Sequence, residues 1–215
     1  MKYTTIIFDL DGTLLDTLDD LAAATNYALK ANGLPLRTTD EVRRFVGNGI
    51  GNLIKRAVPA NTSLELQEQV FAAFNKYYKL HSADRTKPYD GIMELLEKLR
   101  QQSCQTAIVS NKADYAVQDL AKEYFPGLMD AACGERSGIS RKPAPDSVLA
   151  IMRQLNADPK TTIYIGDSDV DIATAKNAGI PCIGACWGFR GKEFLLEHGA
   201  ELLADAPQDV YDLLK

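Results

Sequence analysis

The spacing of apolar and polar positions changes along the chain. Tyr3-Thr4-Thr5-Ile6-Ile7-Phe8 is a short, β-rich apolar run that predicts a buried strand. Over residues 16–32 the rhythm becomes helical. Leu18, Leu21, Ala22, Ala28 and Leu29 fall on one stripe, and Gly33 is a fitting stop. Pro35 breaks the chain, and Thr39-Asp40 is expected to cap a second short helix through Val46. Gly47-Asn48-Gly49 reads as a turn, and residues 53–58 as helix again. Ser63, with Gln67 nearby, opens a long helix to about Leu80, with Leu66, Val70, Phe71, Phe74 and Tyr78 expected to face inward. No strand pattern interrupts residues 16–85, which predicts an all-helical unit inserted directly after the first strand.

From Pro88 onward strands and helices alternate. Helices are expected over 91–102, 113–123, 146–155, 170–178 and 208–214. Strands are expected over 106–109, 131–133, 162–165, 180–185 and 201–204. Such alternation implies an α/β parallel sheet with helices on both faces, which binds ligands at the carboxyl ends of its strands. The expected division is a core of residues 1–15 and 86–215 and a helical domain of residues 16–85.

Composition narrows the function classes. The 215 residues are 46% hydrophobic and 25% charged, the balance of an ordinary globular protein. A net charge of -5 argues against nucleic acid, whose phosphates attract basic faces. No apolar run approaches a membrane span, and Asp9 and Asp11 interrupt the N-terminal apolar stretch, so neither a membrane nor a secretory leader is expected. Cys104, Cys133, Cys182 and Cys186 form no Cys-x-x-Cys pair and have no histidine at zinc spacing, which suits a reducing cytoplasm. His81 and His198 are expected at the surface.

The chemistry concentrates where apolar runs end. Asp9-Leu10-Asp11-Gly12-Thr13 follows the first strand. Residues i and i+2 of an extended chain point the same way, so Asp9 and Asp11 can share one cavity. Two carboxylates there are tolerated if a divalent cation binds or if one stays protonated, and either solution suits phosphoryl transfer. Ser110-Asn111-Lys112 closes a second strand and offers a hydroxyl and backbone N–H groups to phosphate, although Ser-Asn is also an ordinary helix cap. Lys142 precedes Pro143 on a stiff loop, where its ammonium either neutralises phosphate or is simply solvated. Gly166-Asp167-Ser168-Asp169-Val170-Asp171 places three acids after a buried strand, more than a helix start requires. With Asp9 and the backbone carbonyl of Asp11, Asp167 and Asp171 make a hard, all-oxygen set suited to Mg²⁺. Asp169 reads as a helix-start residue.

These four stretches, in this order, resemble the four motifs of the haloacid dehalogenase-like superfamily. The resemblance implies a Rossmann-like core, and the insert is similar to the four-helix cap found in its phosphoglycolate phosphatase, β-phosphoglucomutase and dehalogenase members. Phe45-Val46-Gly47-Asn48-Gly49, Ser110-Asn111-Lys112 and Trp187-Gly188 look most like the phosphoglycolate phosphatase branch. The roles then expected are Asp9 as nucleophile, Asp11 as general acid and base, and Lys142, Ser110, Asn111 and Thr13 around the phosphate. Asp9, Asp11, Asp167 and Asp171 are expected to hold the metal.

In the helical insert, Arg43 and the glycine-rich turn Gly47-Asn48-Gly49 are either a connection between helices or a site for a second small anion. A phosphate at the metal and a carboxylate at this turn would suit 2-phosphoglycolate. Arg44, Lys55 and Arg56 are left open between a substrate role and the solvated surface. The expected partner is a small phosphomonoester, with the chain a monomer or weak homodimer. A phosphosugar phosphatase or mutase shares all four motifs and remains a rival. A silent phosphate-binding regulator would be expected to have lost one of Asp9, Asp11 or Lys142. A receiver domain would be shorter, and dehalogenation needs no acid at position 11.

Overall fold

A computed structural model describes every residue of the chain except Asn48. It divides into two compact units, Met1–Leu15 with Pro88–Lys215, and Asp16–Lys87.

The chain opens with β1 (Thr5–Phe8) and passes through β2 (Leu15–Asp16) into four helices: α1 (Leu18–Ala31), α2 (Thr39–Phe45), α3 (Gly49–Ala57) and α4 (Leu64–His81). It returns through β3 (Lys87–Pro88), which pairs with β2. The remainder is α5 (Ile92–Gln101), β4 (Gln105–Ala113), α6 (Asp114–Tyr124), β5 (Ala131–Glu135) and α7 (Asp146–Leu155). It continues as β6 (Thr162–Gly166), α8 (Asp169–Ala178), β7 (Cys182–Ala185), α9 (Lys192–Glu197), β8 (Leu202–Ala204) and α10 (Pro207–Leu213).

Six strands form one parallel sheet in the order β5-β4-β1-β6-β7-β8. β1 lies at the centre, with Phe8 opposite Ile108 of β4 and Ile165 of β6. All four residues of β1 are buried, as a central parallel strand covered on both faces requires. Strand order reverses between β4 and β6 on either side of β1, so the carboxyl end of β1 is where such a sheet opens a crevice. On one face, Ile7, Val109 and Tyr164 pack with Val148 and Ile151 of α7.

The helical unit forms locally from strong signals. α1 buries the predicted stripe. Asp20, in its first turn, is 2% exposed, which would be untenable for an unpartnered carboxylate. It accepts from Arg85 N, Thr86 N and Thr86 Oγ1, and so fixes the chain as it leaves the unit.

Several expectations need correction. α2 is capped by Thr38, not Thr39-Asp40: Thr38 Oγ1 accepts from Glu41 N while the Glu41 carboxylate accepts from Thr38 N, a reciprocal box that Thr39 cannot make. Phe71 is 40% exposed, because the inward line of α4 is Val70, Phe74 and Tyr78, and Phe71 lies about 100° around the helix from Val70. Ser110, Asn111 and Lys112 do not stand at a helix start. They extend β4 across a register irregularity, and α6 begins only at Asp114, whose carboxylate accepts from Gly134 N. The short helix α9 has no side-chain cap and follows an aromatic, glycine-rich loop, so no local signal marks it.

Candidate active site

The carboxyl ends of β1 and β6, the last residues of β4 and the loop after β5 carry Asp9, Asp11, Thr13, Ser110, Asn111, Lys142, Asp167 and Asp171. β1 delivers the first pair. Asp9 N still bonds Ile165 O as the sheet ladder ends, and Leu10 N turns back onto Asp9 Oδ1. Gly12 takes φ +83°, and a Cβ there would lie 2.5 Å from Asp167 Oδ2, so glycine is required by both the turn and the acid beside it.

The residues after β6 are equally constrained. Any side chain at Gly166 would meet the Asp171 Cβ at 2.3 Å. Asp171 is fully buried at the third position of α8. Its Oδ2 accepts from Ser168 N and Oγ, and its Oδ1 accepts from Lys142 Nζ at 2.7 Å. Asp167, 2% exposed, accepts from Phe189 N at 2.7 Å and lies 3.4 Å from Thr13 Oγ1. Thr13 is in turn held by Trp187, whose indole N–H donates to the Thr13 carbonyl.

Lys142 is buried in this acidic group, with Nζ 2.9 Å from Asp9 Oδ1. The loop that presents it is braced by Asn111, whose amide accepts from Lys142 N and donates to Lys142 O. Asn111, expected at the substrate, therefore spends its side chain on orienting the lysine. Lys112 is the residue that sequence reasoning passed over: its buried Nζ lies 3.0 and 3.2 Å from the two carboxylate oxygens of Asp11. Asp9 and Asp11 thus have different cations and different surroundings.

Charge is out of balance around Asp9. Burial pushes its carboxyl up to about 7, against the opposing pull of the Lys142 ammonium and with repulsion from Asp171 adding to it. Burial likewise raises Asp167 well above the carboxylate range, with Asp171 and Asp9 adding to it. For Lys142 burial works toward loss of the proton, but Asp171 and Asp9 together outweigh it and hold the ammonium.

One oxygen each from Asp9, Asp167 and Asp171 lie within 4.8 Å of one another. An all-oxygen cluster whose negative charge exceeds that of its lysine fits a hard divalent cation. The stability consequence has a definite sign. Carboxyls with raised folded-state values contribute most at low pH, and that contribution is lost as pH rises through about 7 for Asp9. A cation replaces the displaced protons. We therefore expect saturating MgCl₂ to raise the melting temperature by several degrees at pH 8 and by little at pH 5. Equal shifts at both values in differential scanning fluorimetry would contradict the cluster as a cation site.

The residues predicted in the helical unit have their own partners. Arg43 is exposed and lies 3.4 Å from Asp40. Arg56 engages the described part of the glycine turn, its guanidinium donating to Phe45 O at 2.8 Å and Gly47 O at 3.3 Å. Gly47 and Gly49 both have positive φ, and Asn48 lies outside the described residues.

Comparison with known proteins agrees with this geometry. The model of the haloacid dehalogenase-like hydrolases matches residues 6–185. A phosphoglycolate phosphatase of Pseudomonas putida is 33% identical over 98% of this chain and 76% of its own length. One from Vibrio vulnificus is 34% identical over 97% and 92%. A crystal structure of a candidate phosphoglycolate phosphatase from Lactobacillus delbrueckii subsp. bulgaricus superposes with a TM-score of 0.94 at 36% identity, covering 100% of this chain and 99% of that one.

Proposed function

The chain belongs to the haloacid dehalogenase-like hydrolase family and is a phosphatase; from this premise we propose that it hydrolyses 2-phosphoglycolate with Mg²⁺, through a phosphoryl group carried on Asp9. The observation that carries the reading is the unequal treatment of the two acids after β1. Asp9 faces Lys142 and the cation cluster, whereas Asp11 is turned onto Lys112. Two carboxyl groups held in different environments are what separate nucleophile and acid–base roles require.

Uncatalysed hydrolysis of a phosphomonoester is so slow that rate factors up to ~10²¹ are needed. Asp9, Asp167, Asp171 and the carbonyl of Asp11 would hold Mg²⁺, which supplies charge neutralisation at the phosphoryl oxygens. An Asp9 carboxylate oxygen attacks phosphorus in line as the bond to the leaving oxygen breaks. Asp11, released from Lys112 and protonated when substrate is bound, gives that proton to the leaving oxygen and is left as the carboxylate that takes one back from the water attacking the aspartyl-phosphate. Lys142, Ser110 and Thr13 meet the equatorial oxygens. The resting Lys142–Asp9 bond must be exchanged for a bond to phosphate before attack.

These groups act on phosphate and do not distinguish one alkyl group from another. The names of the relatives and the Arg43–Gly51 stretch support a small carboxylate-bearing leaving group, with selection assigned to the helical unit. The four unpaired cysteines support a reducing cytoplasm, and no helix among the described residues is long and apolar enough to cross a membrane.

We expect kcat/KM for 2-phosphoglycolate to exceed that for glucose 6-phosphate by at least tenfold, roughly the discrimination of one lost charged contact. Replacing Arg43 or Asn48 by Ala should erode that ratio. Equal efficiency on the two substrates in a phosphate-release assay would remove the carboxylate reading and leave a broader sugar-phosphate enzyme.

A further inference from the structure

Tyr164 stands in the buried strand Thr162–Gly166, on the face that packs with Val148 and Ile151 of α7, and it is 0% exposed. A phenol in an apolar layer needs partners for its hydroxyl. Here the partners belong to the active site. Lys142 Nζ lies 2.9 Å from the Tyr164 hydroxyl, Val109 O lies 2.9 Å away, and Asp171 Oδ1 lies 3.2 Å away.

Donor counting fixes the directions. The Lys142 ammonium has three protons, and three acceptors surround it: Asp9 Oδ1, Asp171 Oδ1 and the Tyr164 oxygen. The phenol has a single proton, and of its two acceptors the Val109 carbonyl at 2.9 Å is nearer than Asp171 Oδ1 at 3.2 Å. The phenol therefore accepts from Lys142 and donates to the Val109 carbonyl. That carbonyl belongs to the peptide bond leading into Ser110.

The three partners of the ammonium do not have the same fate during turnover. Asp9 must be released to attack phosphorus, and Asp171 belongs to the cation cluster. Tyr164 is neither nucleophile nor metal ligand. Its bond to the ammonium is therefore free of both the attack on phosphorus and the cation cluster.

We propose that Tyr164 is a positioning residue of the phosphatase reaction: its hydroxyl anchors the Lys142 ammonium as it passes from Asp9 to phosphate, and ties that ammonium to the peptide preceding Ser110. The proposal rests on the phosphatase reading for its kinetic part and on geometry alone for the anchoring.

The test removes one oxygen, Tyr164→Phe, and leaves the ring to fill the same volume. With p-nitrophenyl phosphate and Mg²⁺, kcat should fall about tenfold while KM stays within about threefold, because the anchored state is used in the transition state. A ¹⁵N-detected spectrum of the lysine ammonium groups, with the Lys142 signal identified by its loss in Lys142→Arg, gives a readout independent of activity. In the wild-type protein that signal should exchange slowly with water. In Tyr164→Phe it should shift and exchange at least tenfold faster.

An unchanged ammonium signal would overturn the anchoring, whatever the rate does. A shifted signal with kcat within twofold of wild type would overturn the catalytic role. If the wild-type protein released no phosphate, the phosphatase reading would fail while the ammonium signal still decided the anchoring. Should Tyr164→Phe not fold, the wild-type spectrum decides: a protected Tyr164 hydroxyl proton close to the Lys142 Hε protons is required, and its absence overturns the proposal.

Discussion

Asp9→Asn is expected to abolish phosphate release, by a factor of at least about 10⁴, because an amide oxygen does not displace an alkoxide from phosphorus. The same change should not unfold the protein. Asp9 is buried beside Asp171, and its carboxyl is pushed up to about 7. An isosteric neutral amide removes a charge that the metal-free fold holds at a penalty. Lys142 keeps Asp171 and Tyr164 as partners. The metal-free variant should therefore melt at or above the wild-type temperature at pH 8 while being inactive. An inactive variant that also melts well below wild type would locate the role of Asp9 in the fold and not in the chemistry.

Asp11→Asn should lose activity in a way that depends on the leaving group, and its stability should change in the opposite sense. General acid–base groups contribute about 10²–10⁴-fold, and the loss should be largest for an alkyl phosphate, whose leaving oxygen needs a proton. In kcat/KM, which reports phosphoryl transfer to Asp9 and not the later hydrolysis, the loss with p-nitrophenyl phosphate, whose leaving group departs as an anion, should be at least tenfold smaller. Stability should fall, because the Asp11 carboxylate faces the buried ammonium of Lys112 at 3.0 Å. The Asn carbonyl can still accept a hydrogen bond, and Asp11 is partly exposed, so the penalty is about 1–2 kcal/mol, or a few degrees of melting temperature. Equal losses on alkyl and aryl phosphates would deny Asp11 the role of acid.

The division between what the sequence discloses and what it conceals follows contact range. The central strand, the acid pair after it, the Gly166–Asp171 loop and the stripe of α1 are local patterns, each readable within a few residues. The sheet follows from their alternation. Lys112 and Asp11 are 101 residues apart, and the bond forms only because β4 and β1 are neighbours in the sheet. Asn111 is in the same position, since the Lys142 backbone that occupies its amide comes 31 residues later. Tyr164 left a fainter trace: a tyrosine between two isoleucines, two residues before Gly166, is a polar tip in a strand with no water to meet it. Phe71 shows the limit even of local reading. An apolar residue one position out of phase joins the stripe by composition but not by angle.

The central claim is that phosphate passes through Asp9, and covalent capture tests it most directly. The protein is mixed with radiolabelled substrate and Mg²⁺, quenched in acid within milliseconds, digested and mapped by mass spectrometry. The account predicts a label on the peptide carrying Asp9, lost on treatment with hydroxylamine as an acyl phosphate must be, and absent from Asp9→Asn. A label on a serine or threonine, or on any peptide lacking Asp9, would contradict it.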